Sequence, residues 1–187
     1  MKKEMDSTKF LLSRAALTAG FSLIIMAILS IIFFPSLQAT TYSIIGILII
    51  IFLDIIVALA LYFLLKPVDK NLSLIMSAFR IIYAIIFAIA LYNISDLTSF
   101  YSIWDIGLIV FGIHLLLLGF LVYKSKYIPK LLGILIVIAS FGYITDSVLK
   151  FLGYTFEISM FTFFGEVLFA LWLVFKGRKI SNHESIS

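Results

Sequence analysis

The chain has no cysteine, only three prolines and few charges: Asp, Glu, Lys and Arg together make 13% of its 187 residues. Without cysteine there can be no disulfide, no thiolate metal site and no cysteine nucleophile. A soluble domain carries about 25% charged residues, so the shortage of charge excludes an ordinary water-facing surface. Serine-hydrolase (Gly-x-Ser-x-Gly) and phosphate-loop signatures are also missing from the sequence, so neither a serine esterase nor a nucleotide-driven pump is supported. The prolines, at 35, 67 and 129, stand between apolar runs, where a lost backbone donor breaks no helix inside a bilayer.

What remains is hydrocarbon. The chain is 63% hydrophobic with a mean hydropathy of +1.20, a membrane composition. A span needs about 20 mostly apolar residues to cross roughly 30 Å. Six segments qualify: Ala15–Phe34, Tyr42–Leu65, Leu72–Tyr92, Ile103–Tyr123, Leu131–Leu149 and Ile158–Phe175. The reading is an all-α, six-span transmembrane domain over residues 15–176, between an N-terminal segment (1–14) and a tail (177–187). The basic residues before the first span precede a run longer than the core of a signal peptide, and no small-residue cleavage site follows, so it reads as an uncleaved helix.

The positive charges set orientation. Lys2, Lys3, Lys9 and Arg14 precede the first span; Lys66 and Lys70, then Lys124, Lys126 and Lys130, fill the second and fourth loops; Lys176, Arg178 and Lys179 follow the last span. The opposite loops hold only Lys150. By the positive-inside rule both termini are cytoplasmic. The net charge of +4 therefore reports topology and not nucleic-acid binding; the expected partners are membrane lipids. Residues up to Leu12 are expected to lie along the inner surface, and the tail from Ser181 to be disordered. Tyrosines near the ends of the spans, together with Trp104 and Trp172, read as interfacial anchors.

Five ionisable groups fall inside the apolar runs: Asp54, Arg80, His114, Asp146 and Glu166. A charge at membrane depth costs at least about 2.5–3.5 kcal/mol on insertion scales, and such residues mark a partner or a task. At about 1.5 Å per residue, Asp54 and His114 fall near the midplane, Arg80 in the inner half, and Asp146 and Glu166 in the outer half. Asp54 and Arg80 sit on helices joined by a short loop and read as an ion pair. That pair either locks the helices or holds an anion. His114 is either a polar bridge or a proton relay. Asp105 lies about 180° around the helix from His114 and is expected to cap the helix or face headgroups. Asp146 has Lys150 four residues on, a spacing that suits a salt bridge. Glu166 has no basic neighbour in sequence, so either its partner comes from another helix or it stays protonated, and Gly165 before it permits close helix contact. One histidine and three carboxylates would suit a hard or borderline cation. No His-x-x-x-His or Glu-x-x-His spacing places two ligands on one turn, and no cofactor is implied.

Several motifs recur in the order of a known family: Asp54-Ile-Ile-Val-Ala-Leu-Ala-Leu-Tyr62 with Lys66-Pro67-Val68; Ala78-Phe79-Arg80; Phe111-Gly112-Ile113-His114; Ile128-Pro129-Lys130; Gly142-Tyr143-Ile144-Thr145-Asp146-Ser147; and Gly165-Glu166 with Leu171-Trp172-Leu173. The chain resembles the bacterial membrane family named domain of unknown function four-three-eight-six over nearly its whole length. The segment between its first two spans is shorter than in many relatives. The resemblance implies a six-helix bacterial membrane protein and carries no activity. The residues themselves point first to a small transporter or proton- or ion-coupled carrier. A non-catalytic membrane accessory protein comes next. An intramembrane enzyme or metal protein acting on a lipid-like substrate is third and requires Asp54, His114, Asp146 and Glu166 to meet at one level.

Overall fold

Apolar runs of this length can satisfy their backbone groups in a bilayer only as helices. The computed structural model, which describes residues 2–34, 40–154 and 157–182, consists of helices joined by short turns, with no strand among those residues. Its elements are α1 (Lys2–Phe33), α2 (Thr41–Leu65), α3 (Lys70–Tyr92), α4 (Leu97–Lys124), α5 (Lys130–Phe151), α6 (Ser159–Thr162) and α7 (Phe164–Lys176), then a 3-10 helix over Gly177–Asn182. Six helices are long and apolar enough to cross a membrane, α6 and α7 together forming the last.

Each helix packs mainly on its neighbours in sequence, and α7 returns to α1. The six spans therefore form a closed ring in which both chain ends share one end of the bundle. That end also carries the loops with Lys66, Lys70, Lys124, Lys126 and Lys130, and is called the basic end below. Local signals set the helix starts. Asp69 caps α3 by accepting from the Leu72 amide at 3.0 Å. Asp96 caps α4, accepting from the Thr98 amide at 3.1 Å and the Ser99 hydroxyl at 2.6 Å. The Leu72 N–H bond is the main reason the Asp69 carboxyl titrates below its ordinary range; for Asp96 the Ser99 hydroxyl has that role.

Because lipid is as apolar as leucine, helices in a bilayer associate through close packing more than through hydrophobic burial. The α4–α5 seam shows this best. A Cβ on Gly119 would stand 2.7 Å from the Gly133 carbonyl oxygen, and one on Gly133 2.7 Å from the Gly119 carbonyl oxygen, so each glycine admits the other's backbone. Two helix faces are thereby fixed on α4, with α3 on one side and α5 on the other.

Two expectations change here. The N-terminal segment continues the helix of the first span without a break, since α1 runs from Lys2 to Phe33; the side chains of residues 2–9 lie outside those described. After the last span a 3-10 helix runs on to Asn182, past the expected start of the tail at Ser181, with Gly177 against Ala16 and Ile180 buried. His183–Ser187 and the Pro35-Ser36 break lie outside the described residues.

Candidate functional site: a polar centre at mid-depth

Asp54, Arg80, His114 and Glu166 come from α2, α3, α4 and α7. Each sits ten or eleven residues from the basic end of its helix, a rise of about 15–17 Å. They share one level. The ladder expected from sequence, with Arg80 below and Glu166 near the outer surface, collapses because α6 and α7 start deeper than the other helices. The short last span carries Glu166 down to the level of Arg80.

Arg80 is the hub. Its Nη2 lies 2.7 Å from Asp54 Oδ1, and both side chains are sealed from solvent (2% and 0% exposed). Nη1 lies 3.2 Å from His114 Nε2. The guanidinium carbon sits 5.3 Å from the centre of the Phe111 ring, a cation–π contact. The other histidine nitrogen, Nδ1, is 2.8 Å from the Met76 carbonyl oxygen. A carbonyl only accepts and a guanidinium only donates, so Nδ1 carries the proton and Nε2 offers its lone pair. His114 is a neutral imidazole bridging α4 to α3. This arrangement realises the polar bridge and leaves no ring nitrogen for a metal.

The Asp54–Arg80 contact is a buried ion pair through one carboxylate oxygen, and neither Asp54 Oδ2 nor Arg80 Nε has a hydrogen-bond partner among the described residues. In a medium of low dielectric, polar atoms without partners are costly to keep buried.

Glu166 stands beside the trio. It is half-buried as a residue, yet its Oε1 is fully enclosed and has no hydrogen-bond partner among the described residues. Its carboxyl faces the Tyr143 hydroxyl from α5 and interacts electrostatically with Arg80 and Asp54. Tyr143 is the polar group that a neighbouring helix brings against Glu166. Gly165 makes the approach possible, because a Cβ there would meet the Leu135 carbonyl oxygen of α5 at 2.6 Å. In the sequence Tyr143 stands only within the Gly142–Ser147 motif, without a role. Sequence reasoning also passed over Phe111, whose ring touches Tyr83, Tyr143 and His114 at centroid distances of 4.9, 5.2 and 5.7 Å.

Asp146 is placed elsewhere. Its Oδ1 accepts from the Ile158 amide at 2.8 Å and its Oδ2 from the Ser159 amide at 2.7 Å. It caps the last span, and the expected bridge to Lys150 gives way to a contact between Lys150 and Asp105 at 3.1 Å. Asp105 is buried between α4 and α5 and does not face headgroups. The half-turn between Asp105 and His114 was correctly read, but α4 has buried neighbours on both sides, so both residues face protein. Trp104 likewise turns inward, stacking on Phe34 and Phe87 and donating to the Tyr83 hydroxyl. Among the described residues no three metal-ligating side chains converge. The convergence required by the intramembrane-enzyme reading loses Asp146.

A curated relative from Archaeoglobus fulgidus, described as an uncharacterized protein, is 67% identical over 156 residues, covering 83% of this chain and 96% of its own length. No solved structure matches. The profile of the family described as Domain of unknown function (DUF4386) matches residues 36–101 and 95–177, segments that contain all four groups of the polar centre. On that coverage the chain belongs to the DUF4386 family.

Proposed function

We propose that this protein is a small proton- or ion-coupled carrier of a prokaryotic cell membrane, with both termini cytoplasmic and Glu166 as its working group. The lysine and arginine asymmetry supports the orientation. The resemblance is to bacterial proteins and the similar relative is archaeal, so the reading is prokaryotic and not bacterial alone.

One observation carries the proposal: the enclosed, unbonded Oε1 of Glu166 at the level of Arg80. Asp54 and Arg80 cancel each other's charge, and His114 is neutral. Adding a proton to Glu166, or removing one, therefore changes the net charge of the centre by one unit, with Tyr143 as the adjacent hydrogen-bonding group. Ionisable groups of this kind inside a bundle mark proton and ion pathways. Access would come through the last span, which is interrupted at Phe163 between α6 and α7 and is less buried than the four middle spans.

The test is flux in proteoliposomes under an imposed pH gradient, read with an internal pH dye. Wild type should discharge the gradient, and Glu166→Gln should not, while keeping the same unfolding midpoint in detergent. A wild type that moves neither protons nor small ions, or a Glu166→Gln protein that matches it, refutes the carrier reading.

A second reading, an accessory protein whose charges only lock helices, is favoured by the near-complete burial of Asp54, Arg80 and His114. Replacing the trio by apolar residues (Asp54→Leu, Arg80→Met, His114→Leu) separates the two. The accessory role predicts that fold and cellular phenotype survive; the carrier role predicts that the fold survives and flux is lost.

A further inference from the structure

A second feature lies about 15 Å away, at the basic end, and owes nothing to the polar centre. Two open cavities adjoin there, of about 400 Å³ and 790 Å³, both lined by Lys126, Ile128 and Pro129 of the α4–α5 loop. The smaller extends to Trp172, Lys176 and Ile180. The larger extends to Phe120, Tyr123, Lys124 and Lys130.

The vertical order of these side chains is the informative point. On α7, Trp172 is one turn deeper than Lys176; on α4, Phe120 is one turn deeper than Lys124. Residues four apart share a helix face. Both walls thus present an aromatic surface toward the hydrocarbon and an ammonium group at the rim. Two of the lysines are already engaged. Lys124 sits 3.6 Å from Asp69, and Lys130 lies over the Tyr123 ring at 5.4 Å. Lys126 and Lys176 have no acidic partner among the described residues.

We propose that this groove binds one anionic phospholipid of the adjoining leaflet, its phosphate held between Lys126 and Lys176 and an acyl chain lying along Trp172. Charge complementarity selects the headgroup, and the apolar lower wall selects an amphiphile over a soluble anion. Basic pockets between transmembrane helices are a recurring site for acidic headgroups. Here the site bridges the α4–α5 hairpin to α7 and to the 3-10 helix that carries Ile180. A bound lipid would therefore join the last span to the tightly packed hairpin.

Native mass spectrometry of the full chain, released from mixed micelles of phosphatidylglycerol and phosphatidylcholine, tests this. Wild type should retain one phosphatidylglycerol in preference to phosphatidylcholine. Affinity should fall roughly fivefold for each lysine removed in Lys126→Gln and Lys176→Gln. Lys66→Gln, at the same end but outside the groove, should leave retention unchanged, and excess inorganic phosphate should not displace the lipid. Equal retention of the two lipids overturns the proposal. So does an equal loss in Lys66→Gln, which would signal bulk charge attraction, and so does displacement by inorganic phosphate, which would signal a soluble-anion site. Both groove lysines are exposed and serve no packing role, so a matching unfolding midpoint excludes misfolding as the cause.

Discussion

The far end of the bundle and its middle treat buried charge differently. At the far end Asp146 accepts two backbone N–H bonds and Asp105 holds Lys150; both carboxylates have directed partners. In the middle, the Asp54–Arg80 ion pair leaves Asp54 Oδ2 and Arg80 Nε without a hydrogen bond, and Glu166 keeps an oxygen with none, among the described residues. Buried polar groups are normally bonded, so each exception calls for an explanation. The first region is explained by helix ends alone. The second is not.

The sharpest way to break that contrast is Arg80→Ala. It would leave Asp54 buried without its cation and His114 without the donor at Nε2. Breaking one partner of a buried pair costs about 3–5 kcal/mol, so the variant should lose most of its folded yield in detergent. Adding Asp54→Leu should restore much of it, as urea or heat unfolding would show. If Arg80→Ala alone is tolerated, the centre is wetter than its burial implies.

Next comes Asp146→Ala. Loss of a side-chain cap costs about 0.5–2 kcal/mol, here at the start of the span that carries Glu166. A lowered unfolding midpoint and faster proteolysis near residue 158 are expected, with Asp146→Asn retaining part of the cap. Lys150→Gln should matter less, by about 0.2–1 kcal/mol, because its side chain is about one-third exposed and open to screening. An effect of Lys150→Gln larger than that of Asp146→Ala would reverse the ranking of contacts at the far end.

The smallest effect concerns Asp69. Its carboxyl is held below the ordinary aspartate range by the Leu72 N–H. The folded value lies under the unfolded one, so the cap contributes fully above the unfolded value and is lost as acid protonates the folded carboxyl. Below about pH 4 a slight loss of stability is expected in wild type and absent in Asp69→Ser, which caps without titrating. Acid scans of the two proteins check the difference.

Hydrophobic run length revealed six spans, four of them to within two residues at each end, because a bilayer fixes how long an apolar helix must be; the first and fourth helices begin earlier than their apolar runs, at Lys2 and Leu97. The Asp54–Arg80 pair was legible for the same reason, since antiparallel neighbours at known depth leave few partners. Three features were not legible. The split of the last span into α6 and α7 has no proline or glycine at the break to announce it. The role of Asp146 depends on a return of the chain twelve residues later, whereas the i+4 spacing to Lys150 offered a nearer and wrong partner. Burial of both faces of α4 could not be read from α4 itself, because a lipid-facing surface and a helix-facing surface are equally apolar. In a water-soluble protein polarity would have distinguished them.

The order in which the pieces become available follows from the closed ring. A chain inserted from its N-terminus brings Asp54, Arg80 and His114 into the bilayer on consecutive helices, and their charges sum to zero. Glu166 arrives only when the sixth helix docks between α5 and α1. Until then the polar centre carries no net charge, and closing the ring is the same event as adding its odd carboxyl.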